Sequence, residues 1–339
     1  MINFPQKFQD FFFSFGLMFI GLVLLFVFSL TVENGKESTG LFPKSSTRQE
    51  ISAVSPDVKF PESKPVFPLS KGDGVFLTTN TAASLLALDV QTDKILFDKN
   101  SQEIRPLASI TKLMAAMVML DLPIDWNTST QIKNDDCDSS SHQLIAGDVL
   151  KLSDLWNVAL VGSANSAIKA LVRNSGLSEE EFVNLMNKKA QDLNLKSLRF
   201  TEPTGLDAGN NGSAQEVAFL LKEALKSEKI LKTLQIGEYY TKPLGKEKPR
   251  RIYSTNWLLT DWIPNNFDAK CIVGKTGFIN DSGYNFVVRL ADDSNHQIIV
   301  VVLGASNNEA RFSQARDLGG WIFQHYLWPD EDGYKQLVK

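Results

Sequence analysis

The chain has 339 residues, 43 % apolar and 22 % charged, which excludes a wholly disordered, collagenous or coiled-coil protein and leaves material for one large or two ordinary domains. Its 35 Lys and Arg against 39 Asp and Glu give a formal net charge of -4, so there is no global electrostatic case for nucleic acid. Cys137 and Cys271 stand far apart in the chain and read as two unpaired thiols.

After a short segment, residues 1–10, the run Phe11–Val32 holds 22 consecutive residues without a charge. That length spans a bilayer, and no small-residue cleavage site follows it, so an uncleaved transmembrane anchor is expected over a cleaved signal; either would export what comes next. Lys7 and the terminal amine precede the run and Glu33 and Glu37 follow it. The positive-inside rule therefore puts residues 1–10 in the cytoplasm and the remainder outside, at the cell membrane. Residues 33–72 carry five of the 13 prolines among Ser, Lys and Glu, the composition of an extended tether.

The domain proper is expected at 73–330, with a tail at 331–339. Ala83–Val90 and Lys94–Lys99 flank the polar turn Gln91-Thr92-Asp93 and predict an antiparallel hairpin. Ser109–Asp121 is apolar on nearly every side, which predicts a buried helix. Helices are also expected over Asp154–Gly162, Asn165–Arg173 and Ser213–Ser227, and Ser178 with Glu181 forms a capping box ahead of Phe182, Leu185 and Met186. Strands follow at Lys270–Lys275, Tyr284–Ala291 and His296–Leu303, then a closing helix at Glu309–His325. Strands at both ends with helices between them predict an α+β domain: one antiparallel sheet assembled from distant segments, flanked by helices, with a helical subdomain.

The three histidines, His142, His296 and His325, make no HExxH or other close ligand spacing, so no metal and no cofactor is implied. The G-x-S-x-G elbow, the P-loop and the dinucleotide glycine pattern are absent from the sequence. What remains is a serine system without histidine. Ser109-Ile110-Thr111-Lys112 puts a serine and a lysine one helical turn apart, where an unprotonated lysine can take the serine's proton. A lysine loses its proton near neutrality only if burial and neighbouring cations depress it, and Lys275 is a candidate for such a cation. The S-x-x-K pattern recurs at Ser166–Lys169, and the S-x-N of Ser163-Ala164-Asn165 recurs at Ser254–Asn256 and Ser306–Asn308; singly, each is weak. Lys275-Thr276-Gly277, at the end of an apparent strand, is the one K-T-G.

In order, S-x-x-K at 109, S-x-N at 163 and K-T-G at 275 make the triplet of penicillin-recognising serine enzymes. Over about residues 73 to 328 the chain resembles the serine D-alanyl-D-alanine carboxypeptidases, the low-molecular-mass penicillin-binding proteins of peptidase family S11. The segments Pro106–Met114, Thr204–Asp207 with Ser213-Ala214, and Thr255–Leu259 ahead of Val273–Phe278 look like that family's landmarks. The resemblance implies a β-lactamase/transpeptidase-like fold and D-Ala-D-Ala cleavage on peptidoglycan stem peptides, with β-lactams as inhibitors.

It further implies Ser109 as acylated nucleophile, Lys112 as general base and Ser163 as proton relay to the leaving amine. Asn165, Lys275, Thr276 and Gly277 would bind substrate, and the N–H groups of Ser109 and of a residue near Phe278 would form an oxyanion hole. Arg311 resembles the family's arginine near the substrate carboxylate, although a solvated arginine at a helix start fits the sequence equally. Departures are Ser166 after Asn165, Ile279 after the K-T-G aromatic, and Glu202 where carboxypeptidases show asparagine. Class A β-lactamases carry a glutamate there as deacylation base, so a β-lactamase is one alternative; endopeptidase action on cross-bridges and a silent wall-binding domain are the others. Few residues follow the last helix, which suggests no second β domain and no C-terminal anchor.

Overall fold

In Ser84–Asp89 (β1) every residue is buried, so this strand is covered on both faces. It pairs antiparallel with Ile95–Lys99 (β2) across the expected turn, with one register shift after Ala87. The computed structural model describes residues 66–72, 74–76, 80–138 and 143–338. The helical block follows: Lys112–Asp121 (α1), Leu152–Val161 (α2), Asn165–Arg173 (α3), Glu179–Asp192 (α4), Ala214–Ala224 (α5) and Glu228–Leu234 (α6). Val273–Ile279 (β3), Gly283–Ala291 (β4) and Gln297–Ala305 (β5) return to the sheet, and Asn308–His325 (α7) closes it. The five-stranded order is β3-β4-β5-β1-β2, every pair antiparallel, so the first hairpin sits beside the last strand.

The period-2 alternation of side chains divides the core. Leu86, Leu88, Val287, Ile299 and Val301 face the helical block. Leu85, Ala87, Phe286, Val288, Val300 and Val302 face Phe312, Leu318 and Ile322 of α7. Buried on both faces, the sheet holds β3 at one rigid edge.

Four boundaries differ from expectation. Ser109 precedes α1, in a 3-10 turn over Ala108–Thr111, because Ala108 is in the left-handed region at φ 51°. The K-T-G lies inside β3 rather than at a strand end. Residues 270–272 instead form a turn, in which Ile272 N donates to Ala269 O. Gly277 is needed within the strand because a Cβ there would stand 2.6 Å from Leu107 O. The expected helix 213–227 stops at Ala224, and Ser227 Oγ accepts from Ile230 N to start α6.

The fourth difference concerns the ends of the domain. Leu69–Ser70, inside the expected tether, pairs with Tyr326–Leu327, and Tyr334 of the expected tail is buried with its hydroxyl donating 2.8 Å to Phe67 O. Backbone pairing at Leu69–Ser70 and burial of Tyr334 fix this segment despite the proline-rich composition there. Among the described residues no helix is long and apolar enough to cross a membrane; the expected span, 11–32, lies outside them. Cys137 and Cys271 are unpaired.

Candidate active site

Lys112 opens α1 with its side chain wholly buried. Its Nζ lies 2.8 Å from Ser109 Oγ, 2.6 Å from Asn165 Oδ1 and 2.6 Å from Thr204 O. The last two are carbonyl oxygens, which only accept. In the neutral amine they take the two N–H groups and leave the lone pair toward the Ser109 hydroxyl. Burial lowers the Lys112 ammonium from 10.5 to about 7, against the opposing pull of the Glu202 and Asp138 carboxylates. A base half unprotonated near neutral pH thus faces a serine one turn away.

Thr204 reaches Lys112 because its loop lies on the serine turn. Gly205, at φ 92°, packs so tightly that a Cβ would stand 2.0 Å from Ala108 O. Glu202 braces this loop: Oε2 accepts from Thr204 N at 2.7 Å and Thr204 Oγ1 at 2.6 Å, and Oε1 accepts from Gly205 N and Asn210 Nδ2. Its carboxylate is thereby used within its own loop.

A second serine–lysine pair faces the first. Ser163, strained at φ 62°, accepts from Lys275 Nζ at 2.7 Å, and that ammonium also donates to Thr276 O at 3.0 Å. Lys275 was expected to depress Lys112; instead burial alone lowers Lys112, and it is Lys275 that is held well below the ordinary lysine range by burial, then by the Lys112 and Arg311 charges. The Thr276 and Thr255 hydroxyls meet at 2.6 Å. Arg311 is buried, 7 % exposed, which removes the solvated-arginine reading. Its Nη1 donates to Gly277 O at 3.0 Å and Asn285 O at 3.3 Å, and burial lowers it to about 10.

Ser109, Ser163, Asn165, Thr276, Gly277 and Arg311 line one cleft of about 410 Å³, with Lys112 and Lys275 buried behind it. All eight residues singled out in the sequence therefore converge. A larger hollow of about 850 Å³, lined by Asp292, Asp293 and Arg316 among others, contains none of them. Of the repeated motifs, Ser166 is buried in α3 while Lys169 lines a separate hollow, and Ser254–Asn256 builds a turn through Ser254 Oγ and Asn256 N. The Thr204 carbonyl behind Lys112 and the Thr255 hydroxyl in the cleft belong to segments read in the sequence as family landmarks without a role, and Gln143 lines the cleft with no motif of its own. Among the described residues no cluster of His, Cys, Asp and Glu could hold a metal.

An antiparallel sheet with an edge lysine facing a serine–lysine pair across a cleft defines the class of penicillin-binding serine enzymes. The fold agrees: the Streptomyces K15 DD-transpeptidase superposes with a TM-score of 0.66 at 23 % identity, covering 74 % of this chain and 100 % of that one. Penicillin-binding protein D2 of Listeria monocytogenes, in its cefotaxime-bound form, gives 0.61 at 24 % identity over 73 % and 99 %. The D-alanyl-D-alanine carboxypeptidase model of peptidase family S11 matches residues 74–307, and the chain belongs to that family. It is 31 % identical over 244 residues to a D-alanyl-D-alanine endopeptidase of Pseudomonas aeruginosa, 71 % of this chain and 77 % of that one. It is 29 % identical over 252 residues to a D-alanyl-D-alanine carboxypeptidase of Bacillus subtilis, 72 % and 63 %.

Proposed function

We propose that the protein is a serine peptidase that removes the terminal D-Ala from D-Ala-D-Ala ends of peptidoglycan stem peptides through an acyl-enzyme on Ser109. The observation that carries this is the Lys112 amine, near pKa 7 and 2.8 Å from Ser109 Oγ. Neutral Lys112 takes the hydroxyl proton as Oγ attacks the penultimate carbonyl carbon. The oxyanion meets backbone N–H groups where β3 and the Ser109 turn touch. Ser163 hands the leaving nitrogen its hydroxyl proton as the C–N bond breaks and is reprotonated by the Lys112 ammonium, so the proton lost by Ser109 ends on the amine, Lys112 is neutral again and acylation is proton-neutral. Water then attacks the ester with Lys112 again as base. Asn165, Lys275, Thr276, Gly277 and Arg311 hold the substrate along the free edge of β3, Arg311 and Lys275 supplying the positive charge that a terminal carboxylate needs.

Endopeptidase cleavage of cross-bridges uses the same machinery, and the similarity to the Pseudomonas aeruginosa endopeptidase favours it as a second activity. The hydrogen bonds that occupy Glu202 within its loop weigh against a class A-like β-lactamase. The intact Ser109–Lys112 contact weighs against a silent wall-binding domain. The reading includes a single-pass anchor at 11–32, with residues 1–10 cytoplasmic and the peptidase domain outside; the charge-free run and its flanking charges support it.

The test is intact-protein mass after incubation with a labelled penicillin, for the wild type and Ser109→Ala, followed by assay of D-alanine release from a stem peptide. A long-lived adduct on the wild type alone, with D-alanine released, is the expected result. An adduct that vanishes in seconds while penicillin is consumed would favour the β-lactamase, and no adduct on a folded protein would refute both enzyme readings.

A further inference from the structure

Beside Ser163 the cleft wall contains Gln143. Its side chain lies flat on Gly162, so closely that a Cβ on that glycine would stand 2.5 Å from Oε1 and 2.8 Å from Nε2. Nε2 donates to Gly162 O at 2.8 Å, which fixes the orientation of the amide. The backbone is pinned as well: Gln143 O accepts from Arg250 Nη1 at 3.2 Å, and Arg250 is held by the buried Asp148 carboxylate. That leaves Oε1, a buried acceptor with no hydrogen-bond partner. Such an atom is costly unless a ligand completes it.

A free acceptor asks for an N–H or O–H. Its neighbour Ser163 is the group that serves the leaving nitrogen, and that nitrogen carries one hydrogen of its own which Ser163 does not engage. We propose that Gln143 Oε1 accepts this N–H, so that Gln143 is a specificity-determining residue selecting amide over ester leaving groups. The inference rests on the peptidase reading above, in which Ser163 faces the leaving amine. Buried Arg311 Nε, likewise without a partner, provides the complementary donor in the same cleft.

The test compares kcat/KM on two acyl peptides that differ in one atom pair, one ending D-Ala-D-Ala and the other D-Ala-D-lactate, whose ester oxygen has no hydrogen. In Gln143→Met the ratio of amide to ester turnover falls about tenfold relative to wild type, the value of one neutral hydrogen bond. Gln143→Glu keeps an acceptor but loses the donor to Gly162, and it holds the ratio near the wild-type value. An equal loss on both substrates in Gln143→Met, no loss at all, or the same fall in Gln143→Glu overturns the proposal, since displacement of Ser163 would then explain it. Penicillin adduct formation by each variant reports folding. Absence of both adduct and D-alanine release in the wild type refutes the peptidase reading, and with it this inference.

Discussion

Asn165→Asp is the sharpest test of the lysine base. The substitution places a carboxylate oxygen where Asn165 Oδ1 stands, 2.6 Å from Lys112 Nζ, with almost no change in volume. Lys112 sits at about 7 because burial outweighs the Glu202 and Asp138 charges, so about half of it is neutral at pH 7. A carboxylate in contact favours the ammonium and raises the pKa by about 1–3 units. The neutral fraction at pH 7 then drops from about one half to between about 9 % and about 0.1 %, slowing acylation about 5-fold to about 500-fold. The sign is fixed by the chemistry: the active form is unprotonated, so the rate rises with pH through the pKa, and the variant recovers at higher pH. Penicillin acylation followed by rapid-quench mass spectrometry from about pH 5 to about pH 10 reads both midpoints. A wild-type rate flat across pH 7, or a midpoint that Asn165→Asp leaves in place, would refute Lys112 as the base.

Two other substitutions probe the loop that reaches Lys112. Gly205→Ala puts a methyl group 2.0 Å from Ala108 O at a left-handed residue, and should cost roughly 3 kcal/mol or more while slowing acylation by moving the Ser109 turn. Thermal unfolding and the adduct rate check it, and a wild-type-like variant would mean that the loop does not rest on the serine. Glu202→Gln turns an N–H group toward donors that the carboxylate accepted from, so a loss of about 2 kcal/mol, or a melting point lower by about 4–8 °C, is expected by calorimetry. The penicillin adduct should persist as in the wild type; a greatly prolonged adduct would instead mark Glu202 as a deacylation base.

Much of the site is written locally. Ser109 and Lys112 meet because three residues make one helical turn, and this holds although Ser109 sits in a 3-10 turn ahead of α1. The Ser178–Glu181 capping box and the Asn165–Arg173 helix follow from nearest-neighbour chemistry. Strand ends were less legible. Gly277 reads locally as a terminator, but it marks the place where β3 presses on Leu107, a contact between segments far apart in the chain.

The sequence by itself determined the ordered serine–lysine motifs and the strands and helices around them, and through the motifs the family. Only the tertiary structure decided how the motifs act. It turned Arg311 from a solvated helix-start arginine into a buried cation against β3, and supplied the Thr204 carbonyl as the third partner of Lys112. It also tied the Tyr334 hydroxyl to the Phe67 carbonyl, residues near opposite ends of the described chain, and occupied Glu202 within its loop. The physical reason is that motif spacing encodes contacts within one turn or one strand, whereas burial, and the displacement of a lysine to pKa about 7, are properties of the surroundings that distant segments supply only once the sheet has closed.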